Sequence, residues 1–393
     1  MKITKALSSR WRAVPILGLS QLISWGAIYY TPVLIVPLIA EARGWSLTLA
    51  MAGFSVGLLA AGMASPFIGK WIDRFGGHRV MPIGFIAGAA ALVAIGYATN
   101  IVAYFAVWIL LGCSMAGALY DPAFATLARI FGTSARSAIT LLTFIGGFAS
   151  TVSWPLTHLL IEKIGWQSTY QVYAALLALV AAPLLAFALP REHSAAPPQP
   201  KQEGPKTKHI PAKGLPFILV ACGFALYMFI PSALSAHMLA IFDRAGIAPA
   251  TVVTIGALFG PSQVIARFLE FTLARNRHPL TIACGATTLL IFACGILLFL
   301  GMSPIFAAAF AILFGMANGL MTIARGTVPL ALFGPSGYGR LMGRIAAPVL
   351  LMQAVGPIAL AFVAEQLSDR SAIGAIGLFA LAALGCFLAI RRP

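Results

Sequence analysis

Acidic residues are scarce in this chain: Asp and Glu number 10 in 393 residues, and charged residues of all kinds make up 9%. A soluble globular domain carries about 25% charged and about 45–50% apolar residues, whereas this chain is 60% hydrophobic. That deficit excludes a soluble enzyme. Paired cysteines are missing too. Cys113, Cys222, Cys284, Cys294 and Cys386 stand inside apolar runs, with no C-x-x-C pair and no histidine cluster beside them. They read as small hydrophobes, not as disulfides or metal ligands. There is no G-x-x-x-x-G-K-[ST] loop to cradle nucleotide phosphates, no H-E-x-x-H helix and no paired-carboxylate stripe. ATP-driven work and metal-assisted hydrolysis fall away with them. No catalysis, cofactor or metal is expected.

Long apolar runs dominate what is present. A membrane-spanning helix needs about 20 apolar residues. Twelve runs can be drawn, at about 13–39, 48–69, 80–99, 101–127, 138–161, 170–190, 215–241, 250–273, 280–300, 304–331, 345–367 and 372–390. The first follows Lys2, Lys5, Arg10 and Arg12 and far exceeds the ~7–15-residue core of a cleaved signal, so it reads as a span. Lys and Arg number 26, giving a net charge of +16. In a soluble chain that excess would point to nucleic acid. Here it follows the rule that cytoplasmic loops gather positive charge. With both termini in the cytoplasm, twenty Lys and Arg fall inside, and four (Arg43, Lys163, Arg244, Arg370) fall outside. Arg267 and Arg325 lie within spans. The chain reads as an integral protein of a bacterial inner membrane, with no nucleic-acid partner.

Residues 191–214, REHSAAPPQPKQEGPKTKHIPAKG, are rich in Pro and Lys and poor in large apolar groups. Such a segment cannot bury enough surface to fold and reads as a flexible cytoplasmic linker. It divides the chain into 1–190 and 215–393, six spans each. The halves look repeated. Gly44 and Gly246, Gly117 and Gly319, Phe131-Gly132 and Phe333-Gly334, and Pro155 and Pro357 all stand 202 residues apart. Parallel six-helix repeats joined by a linker are a transporter architecture.

Between the second and third runs stands Gly69-Lys-Trp-Ile-Asp73-Arg74-Phe-Gly76-Gly77-His78-Arg79. This resembles the G-x-x-x-D-R-x-G-x-R loop signature of the major facilitator superfamily, with His78 placed ahead of the last arginine. The resemblance covers the whole chain. It implies an all-α membrane fold of twelve transmembrane helices in two pseudo-symmetric six-helix bundles. It also implies that Gly69, Asp73, Arg74, Gly76 and Arg79 form a cytoplasmic gate. Asp73 can face the positive end of a neighbouring helix, and Arg74 a carboxylate or carbonyl. Ser24-Trp25-Gly26 to Tyr29-Tyr30-Thr-Pro32, Gly44-Trp45-Ser46, Tyr120-Asp121-Pro122-Ala123 to Arg129-Ile-Phe131, and Gln263-Val-Ile-Ala266-Arg267 together look like the monocarboxylate and oxalate/formate branch. In that branch the arginine at this place holds substrate carboxylate. Gln263 stands here where the branch has aspartate, and Val33 stands where some members have lysine.

An ionisable side chain inside a span is costly and marks a functional site by default. Gln263, Arg267 and Glu270 share one helix face by i, i+4, i+7 spacing; Asn318, Thr322 and Arg325 share another, and Gln21, Trp25 and Tyr29 a third. These stripes fall on the helices that line the central route in the resembling family. Arg267, Gln263, Arg325, Asn318, Gln21, Trp25, Tyr29 and Tyr120 are the candidate substrate contacts, and Asp121 and Glu270 the candidate proton carriers. The plainer accounts are a local Arg267–Glu270 pair, Asp121 accepting backbone donors at a kink, and Trp25, Tyr29 and Tyr30 as packing aromatics. The expectation is a monomeric secondary transporter of a small organic solute, an organic anion or carboxylate, coupled to protons or another ion. Proton-driven efflux of drug-like compounds is the alternative, and a non-transporting receptor or scaffold the distant one.

Overall fold

The computed structural model describes residues 10–190, 210–274 and 276–390. The linker as far as residue 209, and Lys2, Lys5, Arg275, Arg391 and Arg392 of the charge count, lie outside the described residues. The described residues form helices joined by short turns, with no strand among them. Among the described residues, ten helical stretches are long and apolar enough to cross a membrane. One of them, Ile101–Ala188, is three spans in sequence: its path is interrupted by the tight turn Gly132–Ser134 and by Gly165, whose φ of 78° is not helical. The twelve helices are α1 (Ala13–Arg43), α2 (Leu47–Phe75), α3 (Gly77–Tyr97), α4 (Ile101–Ala118 with Tyr120–Phe131), α5 (135–164), α6 (166–188), α7 (Leu215–Arg244), α8 (Pro249–Ala274), α9 (Pro279–Leu300), α10 (Pro304–Phe333), α11 (Tyr338–Gln366) and α12 (Asp369–Leu388). Each overlaps one of the apolar runs.

The 202-residue repeat has a backbone counterpart. Gly44 and Gly246 end α1 and α7 at φ 64° and 84°, and Gly132 and Gly334 end α4 and α10 at φ 60° and 80°. Only glycine takes such angles without a Cβ penalty. Matching helices therefore stop at matching residues.

By contact the chain forms two compact units, one of residues up to Gly214 with Pro329–Arg344, the other of Leu215–Val328 with Ile345–Ile390. In the first, helices pack through small residues, as lipid-embedded helices do. Trp108 of α4 fills the room left by Gly53 and Gly57 of α2, and the Tyr104 hydroxyl donates to Ala50 O at 2.8 Å. In the second, Phe224 meets Phe387 and Phe229 stacks on Phe379, joining α7 to α12. Pro357 has no N–H, so it leaves Gln353 O without its helical donor. The Ser232 hydroxyl of α7 donates there instead, at 2.6 Å. Arg244 and Asp369 close this unit with a two-pronged ion pair, 2.6 and 3.0 Å, which holds the guanidinium further above its usual pKa.

Candidate functional site

The candidate site residues gather in three places. The first is on α1 and α4. Pro122 cannot donate to Ala118 O, and α4 breaks at Leu119, where the backbone turns extended. Side chains of α1 meet the freed carbonyl: Gln21 Nε2 at 2.9 Å and Ser24 Oγ at 3.1 Å. Gln21 Oε1 accepts from Trp25 Nε1 at 3.2 Å, so both ends of this fully buried amide are in use. Trp25 opens a wide π-helical turn, Trp25–Tyr30. The turn gathers Trp25, Tyr29 and Tyr30 beside Tyr120 and Phe54, with Trp25 ring centroids 4.7 Å from Tyr29, 5.9 Å from Tyr30 and 4.9 Å from Tyr120. Thr31 Oγ1 donates to Gly26 O at 2.7 Å and meets Thr157 Oγ1, which meets the Tyr173 hydroxyl at 2.6 Å. This cluster is aromatic and carries no charge of its own.

Asp121 stands just beyond the break, in the first turn of Tyr120–Phe131, where a helix favours negative charge. It is half-buried and lines a small cavity with Ser65, Gly69, Pro122, Gly339 and Gly343.

The second place is the loop signature. The Asp73 carboxylate accepts from the backbone N–H groups of Gly339 and Arg340 at 2.8 and 2.7 Å, the unsatisfied donors of the first turn of α11. Two glycines make that approach possible. A Cβ on Gly339 would stand 2.7 Å from Asp73 Oδ1, and one on Gly69 would strike the Gly339 backbone. Gly76 turns the chain from α2 to α3 at φ 82°. Arg129 at the end of α4 donates to the Asp73 backbone carbonyl. Arg74 lies over the Phe75 ring, 5.1 Å from its centroid, and meets no carboxylate or carbonyl among the described residues. Arg79 is exposed. Spacing alone did not reveal Gly339, Arg340 or Gly343, which are distant in sequence from the signature.

The third place is on α8 and α10. Gly315 and Gly319 bring the two backbones together: a Cβ on Gly319 would lie 2.5 Å from Gln263 O, and one on Gly315 2.6 Å from Phe259 O. Asn318 therefore reaches Gln263, with Nδ2 3.4 Å from Oε1. Arg267 Nη2 donates to the same oxygen at 3.1 Å. Arg267 is 3% exposed, and its Nε and Nη1 have no hydrogen-bond partner among the described residues. Glu270, 2% exposed, begins a π-helical turn of its own, Glu270–Ala274, and makes no ion pair with Arg267 among the described residues. Thr322 Oγ1 donates to Asn318 O at 2.8 Å, and Arg325 follows on that face, half-buried.

A family model described as Major Facilitator Superfamily matches residues 17–321. The chain is similar to an uncharacterized MFS-type transporter, YcxA, of Bacillus subtilis (strain 168): 26% identical over 155 residues, 38% of this chain and 37% of that protein. The match thus spans little more than a third of that relative's length. Its fold is similar to the human organic anion transporter MFSD10 (TETRAN), with TM-score 0.76 and 15% identity over 96% of this chain and 99% of that one. It is also similar to the proton:xylose symporter XylE, with TM-score 0.73 and 12% identity over 98% and 96%. The E. coli fucose:proton symporter FucP gives TM-score 0.73 and 11% identity over 96% and 99%.

Proposed function

Since the chain belongs to the Major Facilitator Superfamily, a family of membrane transporters, we propose that it carries a small organic anion, a carboxylate, across the bilayer by alternating access with proton coupling. One observation carries the substrate class. Arg267 is buried in α8 with two guanidinium nitrogens lacking partners among the described residues, and its one hydrogen bond goes to a neutral amide. A cation in that position is expensive unless an anion meets it. A carboxylate offers four lone pairs in the matching plane. The fold likeness does not choose the substrate, because it extends equally to a structure described as an organic anion transporter and to sugar symporters.

Asp121 is the first candidate for the proton and Glu270 the second. The Asp73 contact with α11 acts as the cytoplasmic gate in this reading. The Lys and Arg distribution puts both termini and the 191–214 linker inside, in a plasma membrane, with the linker joining the two six-helix halves. A cysteine at Gly204 is then expected to resist impermeant thiol reagents in intact cells.

The aromatic cluster around Trp25 favours a second reading, efflux of drug-like compounds, because aromatic faces hold apolar and cationic ligands. A thermal-shift screen of the purified chain separates the two, since a ligand of the native state raises its melting point. Stabilisation by carboxylates supports the first reading. Stabilisation by cationic drugs alone overturns it.

A further inference from the structure

The anion reading takes its substrate class from Arg267 alone; the amides beside it say more about the occupant. A guanidinium has donors only. The Gln263 atom that takes Arg267 Nη2 at 3.1 Å is therefore its oxygen. That oxygen also meets the Asn318 amide at 3.4 Å, so the Asn318 atom turned toward it is the nitrogen. The two contacts fix both amides. Gln263 Nε2, a donor, and Asn318 Oδ1, an acceptor, are left over, and neither takes part in a hydrogen bond among the described residues. Both residues are half-buried, in contrast to Arg267. The Thr322 hydroxyl has spent its proton on Asn318 O at 2.8 Å and also offers lone pairs only. The cluster thus has two faces: donors from Arg267 and Gln263, and acceptors from Asn318 and Thr322 within one helical turn of each other.

We propose that the occupant carries, next to its carboxylate, a group that donates a hydrogen bond, as in a 2-hydroxy or 2-amino acid. The carboxylate takes the Arg267 and Gln263 donors, and the hydroxyl or ammonium gives to Asn318 Oδ1. A 2-oxo acid has no proton to give there and sets its carbonyl oxygen against an acceptor. An unsubstituted acid leaves Asn318 unpaired. This proposal rests on the anion reading and deepens it.

The test is titration calorimetry on the purified full chain with matched acids. Lactate, alanine, pyruvate and propionate form one series, and phenyllactate, phenylalanine, phenylpyruvate and phenylpropionate another, to allow for a larger occupant. In at least one series, the hydroxy or amino acid is expected to bind about fivefold to tenfold more tightly than its oxo and unsubstituted counterparts, the worth of one hydrogen bond. The hydroxy and amino members tell which donor is used. Asn318→Leu is expected to erase that preference, and retained helical circular dichroism with a cooperative melting transition reports that the variant is folded. If it does not fold, the wild-type ranking alone decides. Equal binding across a series, or tighter binding of the oxo acid, overturns the donor proposal and leaves the anion reading standing. No binding by any of the eight removes both.

Discussion

The α1–α4 cluster and the α8–α10 cluster are both held by amides but end in opposite electrical states. In the first, Pro122 frees a carbonyl, and Gln21 and Ser24 take it up. Gln21 has a partner at each end of its amide, and the remaining surface is aromatic. In the second, glycines bring two backbones together and a guanidinium is buried beside an amide that satisfies only one of its nitrogens. Buried polar groups that have partners stabilise a fold, whereas a charged group left short of partners stores a cost that a ligand can offset. In the proposed reading the first cluster's amide is scaffolding, and the second cluster recognises charge.

The change that breaks this comparison most severely is Arg267→Ala. Losing two charge-assisted hydrogen bonds, each worth about 1.5–3 kcal/mol, is expected to cut carboxylate binding by about a hundredfold or more, with uptake into proteoliposomes lost. Arg267→Lys keeps the charge without the planar fork and is expected to fall between the two. Wild-type affinity in Arg267→Ala would transfer recognition to the aromatic cluster. Next comes Asp121→Asn. If Asp121 carries the proton, gradient-driven accumulation is expected to vanish while exchange of labelled for unlabelled substrate persists. Retained accumulation would shift the role to Glu270.

A smaller effect is expected at the loop signature. Asp73→Asn removes a charge from the first turn of α11 and weakens two hydrogen bonds of 2.7–2.8 Å. Charge at a helix N-terminus is worth about 0.3–1 kcal/mol on a surface and up to about 2 when partly buried. Transport is expected to fall severalfold, with the melting temperature changed by a few degrees at most. Wild-type flux would show that this contact is only a solvated turn.

Much of this architecture was legible in the residues, because the bilayer imposes its own length on each apolar run. The twelve runs became twelve helices, and two of the glycine pairs 202 residues apart, Gly44 with Gly246 and Gly132 with Gly334, became matching positive-φ helix ends. The partners were harder to read. Helical spacing offers Arg267 both Gln263 at i−4 and Glu270 at i+3, and only the folded side chains distinguish them: Arg267 takes Gln263. Asp73 finds its partners 266 and 267 residues away, and no local pattern encodes that. The break at Leu119 was written in Pro122, since a proline frees the carbonyl four residues back. What the sequence did not say is that Gln21 and Ser24 would come from α1 to meet it.

The smallest and sharpest probe of the contrast is Trp25→Phe. It keeps an aromatic ring in contact with Tyr29 and Tyr120 and removes only the indole N–H that Gln21 Oε1 accepts at 3.2 Å. Gln21 is fully buried, so its oxygen has no water to turn to. A buried acceptor stripped of its donor costs about 1–3 kcal/mol, which lowers the melting temperature of a chain this size by a few degrees. If the α1 amide is scaffolding, that loss of stability is the main consequence, and substrate affinity moves by no more than about twofold. If the Trp25 face is the recognition surface, the order reverses: affinity falls severalfold while stability follows only the hydrogen bond. Measuring both on one variant, against Gln263→Leu in the second cluster, shows which amide supports the fold and which selects the substrate. A large affinity loss at Trp25 with none at Gln263 would invert the division of labour drawn from the two clusters.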